Sequence, residues 1–83
     1  MRYLITGGTG TLGTALAKRI LKSWPEDTVN IFSRDEFKQW KMSEELKDLR
    51  VSYILGDVRD RERVLRACEG VDIIIHAAAY KHV

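Results

Sequence analysis

The 83 residues of this chain, 45% hydrophobic and 31% charged, are enough for one small domain with a thin core. The formal net charge of +2 comes from interspersed basic and acidic residues, a pattern that disfavours nucleic acid as a partner. No apolar stretch reaches the length of a membrane span or a signal-peptide core, so we expect a cytoplasmic protein with no membrane partner.

Apolar patterning and turn residues divide the chain into four strands and three helices in the order βαβαβαβ. The predicted strands are residues 3–6, 28–33, 51–56 and 71–77, and the predicted helices are residues 11–23, 35–46 and 61–69. Pro25 follows the first helix, Asp60 suits the N-cap of the third, and Gly70 suits the left-handed position that closes it.

Residues expected to face the sheet recur at helical spacing. They are Leu12, Ala15, Leu16 and Ile20 in the first helix, Phe37, Trp40 and Leu46 in the second, and Cys68 in the third. The second strand alternates apolar with polar residues, which indicates partial burial, whereas the isoleucine run at 73–75 indicates a strand covered on both faces. A single cysteine excludes an internal disulfide, and no metal site is expected because neither histidine has ligand spacing.

Strands that alternate with helices of this length favour a parallel sheet with right-handed crossovers. The predicted fold is α/β: a Rossmann-like three-layer βαβαβαβ half with its parallel strands in the order 3-2-1-4. In that order the first strand ends where the winding of the sheet reverses. A ligand crevice is expected at that point.

A glycine-rich run, Ile-Thr-Gly-Gly-Thr-Gly-Thr-Leu-Gly at residues 5–13, joins the first strand to the first helix. Its spacing matches dinucleotide fingerprints either as Gly8-x-Gly10-x-x-Gly13 or as Gly7-x-x-Gly10-x-x-Gly13. Glycine lets the backbone approach a pyrophosphate, and the first turn of a helix supplies unpaired N–H donors and positive potential. Taken alone, the run is also compatible with a glycine-rich turn that binds nothing.

The end of the second strand, Phe32-Ser33-Arg34-Asp35, bears on the choice of cofactor. In NAD-binding folds an acidic residue about 20 positions beyond the glycines accepts hydrogen bonds from the adenosine ribose. If Ser33 ends the strand, a small hydroxyl followed by Arg34 replaces that acid and suits the 2′-phosphate of NADP. Another register would place Asp35 at the ribose, and Arg34 could also be merely solvated. We expect NADP, with NAD as the alternative.

Two further stretches follow strands at the same edge of the predicted sheet. Asp57 and Val58 come after the third strand, where adenine would lie, although Asp57 is explained equally well as a turn former. Three alanines, Ala77, Ala78 and Ala79, come after the fourth strand and are small enough to let a cofactor pass close to the backbone. Such alanines are also common in packing.

Taken together, these stretches resemble the extended short-chain dehydrogenase/reductase superfamily, and within it the polysaccharide-biosynthesis branch that includes UDP-N-acetylglucosamine 4,6-dehydratases. The matching stretches are Thr-Gly-Gly-Thr-Gly at 6–10, Ser-Arg-Asp-Glu-x-Lys at 33–38, Gly-Asp-Val-Arg-Asp at 56–60, Gly-Val-Asp at 70–72 and His-Ala-Ala-Ala-x-Lys-His-Val at 76–83. The second and the last are the most specific, and together the five stretches span essentially the whole chain.

The resemblance implies roles for individual residues. The glycine loop would hold the pyrophosphate, Ser33 and Arg34 the adenosine phosphate, and Asp57 and Val58 the adenine, with Lys81 on the nicotinamide side. The cofactor-binding residues that it implies are Gly7, Thr9, Gly10, Thr11, Leu12, Gly13, Ser33, Arg34, Lys38, Asp57, Val58, Ala77, Ala78, Ala79 and Lys81.

Members of the branch oxidise a nucleotide sugar at C4, eliminate water across C5 and C6, and return the hydride to C6. Their catalysis depends on a Tyr-x-x-x-Lys pair, which does not occur in these 83 residues. We therefore expect residues 1–83 to form an NAD(P)-binding domain that is truncated relative to the family and not catalytic by itself. A nucleotide sugar is expected as ligand only of a longer protein.

A second hypothesis is a non-enzymatic interaction module. With no fifth strand in the predicted order, the fourth strand is an edge that exposes unpaired backbone and apolar isoleucines. A homo-oligomer formed through that edge is therefore expected. Nucleic-acid binding through Lys38 and Lys41 with Phe37 and Trp40 is a minor alternative, because these aromatics have the spacing of a packing stripe.

Overall fold

The computed structural model describes residues 1–77. Seven elements alternate along them: β1 Arg2–Thr6, α1 Thr11–Ser23, β2 Thr28–Ser33, α2 Glu36–Leu46, β3 Val51–Leu55, α3 Arg61–Ala67 and β4 Ile73–His76. Each begins and ends within about two residues of its predicted bounds, which is the usual uncertainty of helix and strand ends. In the described part of the chain, no helix combines the length and apolar character of a membrane span.

The strands form one parallel sheet in the order β3-β2-β1-β4, which confirms the predicted Rossmann-like topology. Helices α1 and α2 cover one face, where Ile5, Ile31 and Val29 are fully buried beneath them. Helix α3 covers the other face through Ala67, which packs on Leu4 and Phe32, with Cys68 partly buried beside them. The carboxyl ends of all strands therefore lie on one edge, with helices on both sides.

The inner face of α1 differs from the prediction. Gly13, Ala17 and Ile20 are its buried residues, whereas Leu12 and Ala15 are exposed. The reason is steric, because a Cβ on Gly13 would lie 2.4 Å from the Cα of Gly8. The helix therefore turns its small side chains toward the loop and sheet. The prediction is confirmed for Ile20, which is buried, and for Leu16, which packs against the core, and it is wrong for Leu12 and Ala15.

The inner face of α2 was predicted correctly only at Leu46, which packs against the core. Gln39 and Met42 are its buried residues, while Phe37 and Trp40 are 65% and 58% exposed. The two aromatic rings stack on each other, with their centroids 6.0 Å apart. Gln39 takes the inward position because its side-chain amide donates hydrogen bonds to acceptors at the ends of β2 and β3.

β2 is more deeply buried, and β4 less deeply buried, than their residue patterns predicted. β2 lies between β1 and β3 and has both faces covered, so Val29, Ile31 and Phe32 are at most 1% exposed. Among the described residues β4 is an edge strand, and its Ile74 is 45% exposed on the α3 side. Ile73 and Ile75 pack against the core on the α1 side. Position in the sheet, rather than the local apolar pattern, decides how deeply each strand is buried.

We predict that Gly13→Ala destabilises the fold by about 1–3 kcal/mol, the usual cost of forcing a methyl group into a packed contact. The added Cβ would lie within 2.6 Å of three backbone atoms of Gly8, which are not free to move aside. Urea unfolding followed by circular dichroism measures the difference.

Gly10→Ala is the matched control, because a Cβ there would meet only the Gly7 carbonyl oxygen, at 3.6 Å. Its backbone is extended, with φ −76° and ψ 179°, and any residue adopts that conformation. We expect it to cost no more than about 1 kcal/mol, less than Gly13→Ala, because alanine is a poorer N-cap than glycine but meets no close contact. Equal losses in the two variants would contradict the steric account.

Candidate functional site

A cleft opens at the carboxyl edge of the sheet and consists of two adjoining cavities. The strand-end cavity, about 500 Å³ in volume, lies where β2 and β3 end and is lined by Gly7, Thr9, Phe32, Ser33, Arg34, Asp35, Lys38, Gly56, Asp57, Val58 and Arg59. The helix-start cavity, about 380 Å³, is lined by Gly7, Gly10, Thr11, Leu12, Gly13, Lys38 and Ala77. Gly7 and Lys38 line both, so the two cavities form one continuous cleft.

Every predicted site residue within the described part of the chain lines this cleft. Ala78, Ala79 and Lys81 lie outside the described residues. The prediction missed Phe32, Gly56 and Arg59, which also line it. Arg59 could have been found from its position two residues after Asp57, the spacing at which an aspartate in a turn meets the backbone of a following residue.

The start of α1 is built to leave donors available. Its N-cap, Gly10, has no side-chain acceptor, and no acidic residue lies in its first turn. The other two helices of the described residues begin differently, because Asp35 and Asp60 accept N–H groups of α2 and α3 and an acidic residue follows each. The first-turn N–H groups of α1 therefore keep the positive potential that an anion requires.

The glycine loop has room for a ligand at Gly10 but not at Gly8. A Cβ on Gly8 would lie 2.9 Å from the Ile31 side chain, so glycine is needed there for packing. A Cβ on Gly10 would meet nothing closer than 3.6 Å, so the fold itself does not require glycine at that position. The space left open in front of Gly10 belongs to the helix-start cavity and fits close approach by a phosphate.

Gly7 and the end of β2 hold the loop in place. Gly7 has a φ of 67°, in the left-handed region that favours glycine. Its N–H donates to the carbonyl oxygen of Phe32 at 2.8 Å. On the other side of β1, the Thr6 hydroxyl and Nδ1 of His76 are 2.9 Å apart, which links the ends of β1 and β4. The loop is thus anchored to strands on both sides.

Gln39 fixes α2 against the strand ends. Its Nε2 group donates to the Ser33 hydroxyl and to the Ile54 carbonyl oxygen, each at 3.0 Å. Ser33 is buried and is the last residue of β2. The sequence signal for Gln39 was its spacing from Met42 and Leu46, but a polar side chain was not expected to face the sheet.

The register at the end of β2 is the one that the NADP interpretation required. Because Ser33 ends the strand, Arg34 is the first residue beyond it, and its side chain is 70% exposed at the cleft. Asp35 is the N-cap of α2, and its carboxylate accepts the Lys38 N–H at 3.0 Å. Asp35 is thus used to cap a helix, whereas Arg34 and Lys38 present cations to the cleft.

Asp57 forms a turn with Arg59. Its carboxylate accepts the Arg59 backbone N–H at 2.8 Å and the guanidinium at 2.8 and 3.2 Å. Hydrogen bonds from Arg59, with a further contribution from Arg34, hold the pKa of the Asp57 carboxyl well below its usual range. The turn-former interpretation therefore applies to Asp57, and its role toward adenine stays a prediction.

We predict that Asp57→Asn reduces the acid sensitivity of the fold. Since the folded-state pKa of Asp57 lies below its unfolded value, its contribution to stability is complete above about pH 4 and is lost as the pH falls through the folded-state pKa. Urea unfolding at pH 7 and at lower pH should show a smaller decrease for the variant than for the parent chain. An equal or larger decrease in the variant would contradict this account.

The fold and the cleft together define a Rossmann-type protein of the short-chain dehydrogenase/reductase kind. The sequence pattern of the polysaccharide biosynthesis protein family matches residues 3–83. The chain belongs to that family.

Individual relatives agree with this assignment. The chain is 48% identical to a UDP-N-acetylglucosamine 4,6-dehydratase (inverting) of Campylobacter jejuni over 96% of its length and 24% of that protein's. It superimposes on Pen from Bacillus thuringiensis with a TM-score of 0.88 and 39% identity, covering 99% of this chain and 25% of that one. For the dTDP-glucose 4,6-dehydratase DesIV of Streptomyces venezuelae, solved with NAD bound, the TM-score is 0.81 at 31% identity, covering 100% and 28%.

These similarities concern the amino-terminal part of nucleotide-sugar dehydratase-like proteins, because the chain spans about a quarter of the length of the relatives it matches. Nicotinamide dinucleotide binding is a property of structural neighbours with this fold. The comparisons give the hypothesis of a non-enzymatic interaction module no support.

Proposed function

We propose that this chain binds NADP in the cleft and serves as the cofactor-binding part of a nucleotide-sugar dehydratase or epimerase. The observation that carries the proposal is the end of β2, where Ser33 is the last strand residue and Arg34 and Lys38 stand at the cleft. Relatives of both enzyme kinds match the chain. When bound, the nicotinamide group supplies hydride transfer to and from the substrate.

The two cavities suit the two ends of such a ligand. The N–H groups at the start of α1 would receive the pyrophosphate, with Gly10 letting it approach the backbone closely. The strand-end cavity, at about 500 Å³, is large enough for an adenosine group. Val58 would contact the adenine ring. Ala77 and, by family resemblance, Ala78, Ala79 and Lys81 would lie toward the nicotinamide.

The preference for NADP is an electrostatic argument. A fold that selects NAD places a carboxylate at the end of β2 to accept the ribose hydroxyls. Here the carboxylate that follows β2 in the chain, Asp35, caps α2, and the exposed Arg34 guanidinium offers paired donors to a 2′-phosphate. Lys38 adds a second cation at the junction of the two cavities. These contacts support NADP over NAD as the ligand of this chain.

We predict saturable NADP binding by the 83-residue chain, weaker binding of NAD, and a selective effect of Arg34→Ala. Loss of a charge-assisted pair should raise the NADP dissociation constant about tenfold or more, with the value for NAD changed by less than about twofold. Isothermal titration calorimetry with both dinucleotides measures these constants.

Arg66→Ala on the exposed side of α3 is the matched control, because it removes the same charge away from the cleft. It should leave both dissociation constants unchanged. Binding of neither dinucleotide by the folded chain would contradict the proposal. Equal losses for NAD and NADP in Arg34→Ala would contradict the preference for NADP.

We also propose that the chain associates with itself through β4. Among the described residues β4 is an edge strand with unpaired backbone groups, and Ile74 is 45% exposed beside it. Sedimentation velocity should show a dimer or larger species that Ile74→Lys shifts toward monomer. A chain that stays monomeric at about 100 μM, a concentration above the dissociation constants usual for specific association, would contradict this proposal.

A further inference from the structure

Positively charged side chains outnumber carboxylates in the strand-end cavity. Three cations, Arg34, Lys38 and Arg59, line it together with two carboxylates, Asp35 and Asp57. Asp35 is engaged at the start of α2, where it accepts the Lys38 N–H. Asp57 is therefore the carboxylate that decides how much positive charge the cavity offers to a ligand.

Both arginines approach the same carboxylate, but at different distances. Arg59 donates to Oδ2 of Asp57 from Nη2 at 2.8 Å and from Nε at 3.2 Å, and its backbone N–H donates to Oδ1. Arg34 reaches Oδ2 only at 3.7 Å, beyond hydrogen-bond distance. Arg59 occupies the strong bonding positions, and Arg34 is left with a long ion pair.

The geometry points to Arg59 as a specificity-determining residue that acts through Asp57. By holding the Asp57 carboxylate, Arg59 keeps that carboxylate from pairing fully with Arg34, so that the Arg34 guanidinium stays available for the 2′-phosphate of NADP. This inference rests on the proposed function and adds to it a residue that was not among the predicted cofactor-binding residues. Arg59 is a positioning residue in this scheme and need not touch the ligand.

Removing Arg59 should weaken the binding of NADP and leave the binding of NAD almost unchanged. Asp57 would lose its partner and would take Arg34, whose Nη1 is already within 3.7 Å. The 2′-phosphate would then compete with a carboxylate for the same guanidinium, whereas the ribose hydroxyls of NAD would not. The loss is therefore selective for NADP.

The first test compares Arg59→Ala with Arg66→Ala in calorimetric titrations. We expect the first variant to raise the NADP dissociation constant about fivefold, the upper range for an exposed ion pair, and the NAD constant by less than about twofold. The second variant should change neither. Parent-like NADP binding by Arg59→Ala would overturn the inference.

The second test separates action through Asp57 from direct contact with the phosphate. Asp57→Asn keeps an oxygen for the turn but removes the charge that competes for Arg34. In that background Arg59→Ala should cost less than about twofold in NADP affinity, because the Asp57 carboxylate that would capture Arg34 is gone. If Arg59→Ala costs as much in the Asp57→Asn background as it does with the native aspartate, Arg59 contacts the ligand itself and the inference is overturned.

A third measurement needs no cofactor. The pKa of the Asp57 carboxyl, followed by NMR, should be lower in Arg59→Ala than in Arg34→Ala/Arg59→Ala, because Arg34 takes over in the single variant while the backbone N–H of residue 59 still donates in both. Equal pKa values of Asp57 in the two variants would show that Arg34 does not move to Asp57 and would overturn the inference. If the parent chain binds neither dinucleotide, the proposed function fails, while this measurement still decides the pairing.

Discussion

The arrangement of the cleft depends on the contact between Gly13 of α1 and Gly8 of the loop before it. No methyl group fits between them, since a Cβ on Gly13 would lie 2.4 Å from the Gly8 backbone. The helix therefore begins directly against the loop, and its first turn reaches the edge at which the parallel strands end. Because β2 and β3 end at the same edge, the helix-start and strand-end cavities meet at Gly7 and Lys38.

The three helices differ in whether a carboxylate caps their first turn. Aspartates at the starts of α2 and α3 accept backbone N–H groups, whereas α1 begins at a glycine without an acceptor. An uncapped start costs stability, and proteins retain such costs where a ligand compensates them. At the cleft the same residue type thus has two uses, because Asp35 closes a helix start while Asp57 neutralises arginines.

The topology could be predicted from the sequence because glycine and proline positions and the alternation of apolar runs separate the strands from the helices, and the strand order 3-2-1-4 is the one expected of a dinucleotide-binding fold. The rotations of α1 and α2 about their own axes could not be predicted from the sequence. Gly13 and Ala17 face inward because the backbone approaches closely, and hydrophobic spacing favours the larger Leu12 instead. Gln39 faces inward because two strand ends leave acceptors there, and those acceptors come together only in the folded chain.

The site residues were easier to predict than the packing, because loops at the ends of parallel strands converge whatever the helix rotation. Motif residues on the glycine loop and after β2 and β3 could be placed from topology alone. The spacing of Arg59 from Asp57 also places it at the cleft, but its pairing could not be predicted, since that depends on the distances of 2.8 Å for Arg59 and 3.7 Å for Arg34 from the Asp57 carboxylate. The deep burial of β2 likewise could not be predicted from its own residues, because it depends on the neighbouring strands of the sheet.

The buried amide of Gln39 belongs to the framework of this edge, apart from the exposed cations of the cleft. It holds α2 to the ends of β2 and β3 with bonds that do not involve Arg34 or Lys38. The exposed cations can therefore be exchanged without loosening the scaffold beneath them. Under the proposed function, single substitutions of these cations would change the preference between dinucleotides while the architecture stays constant.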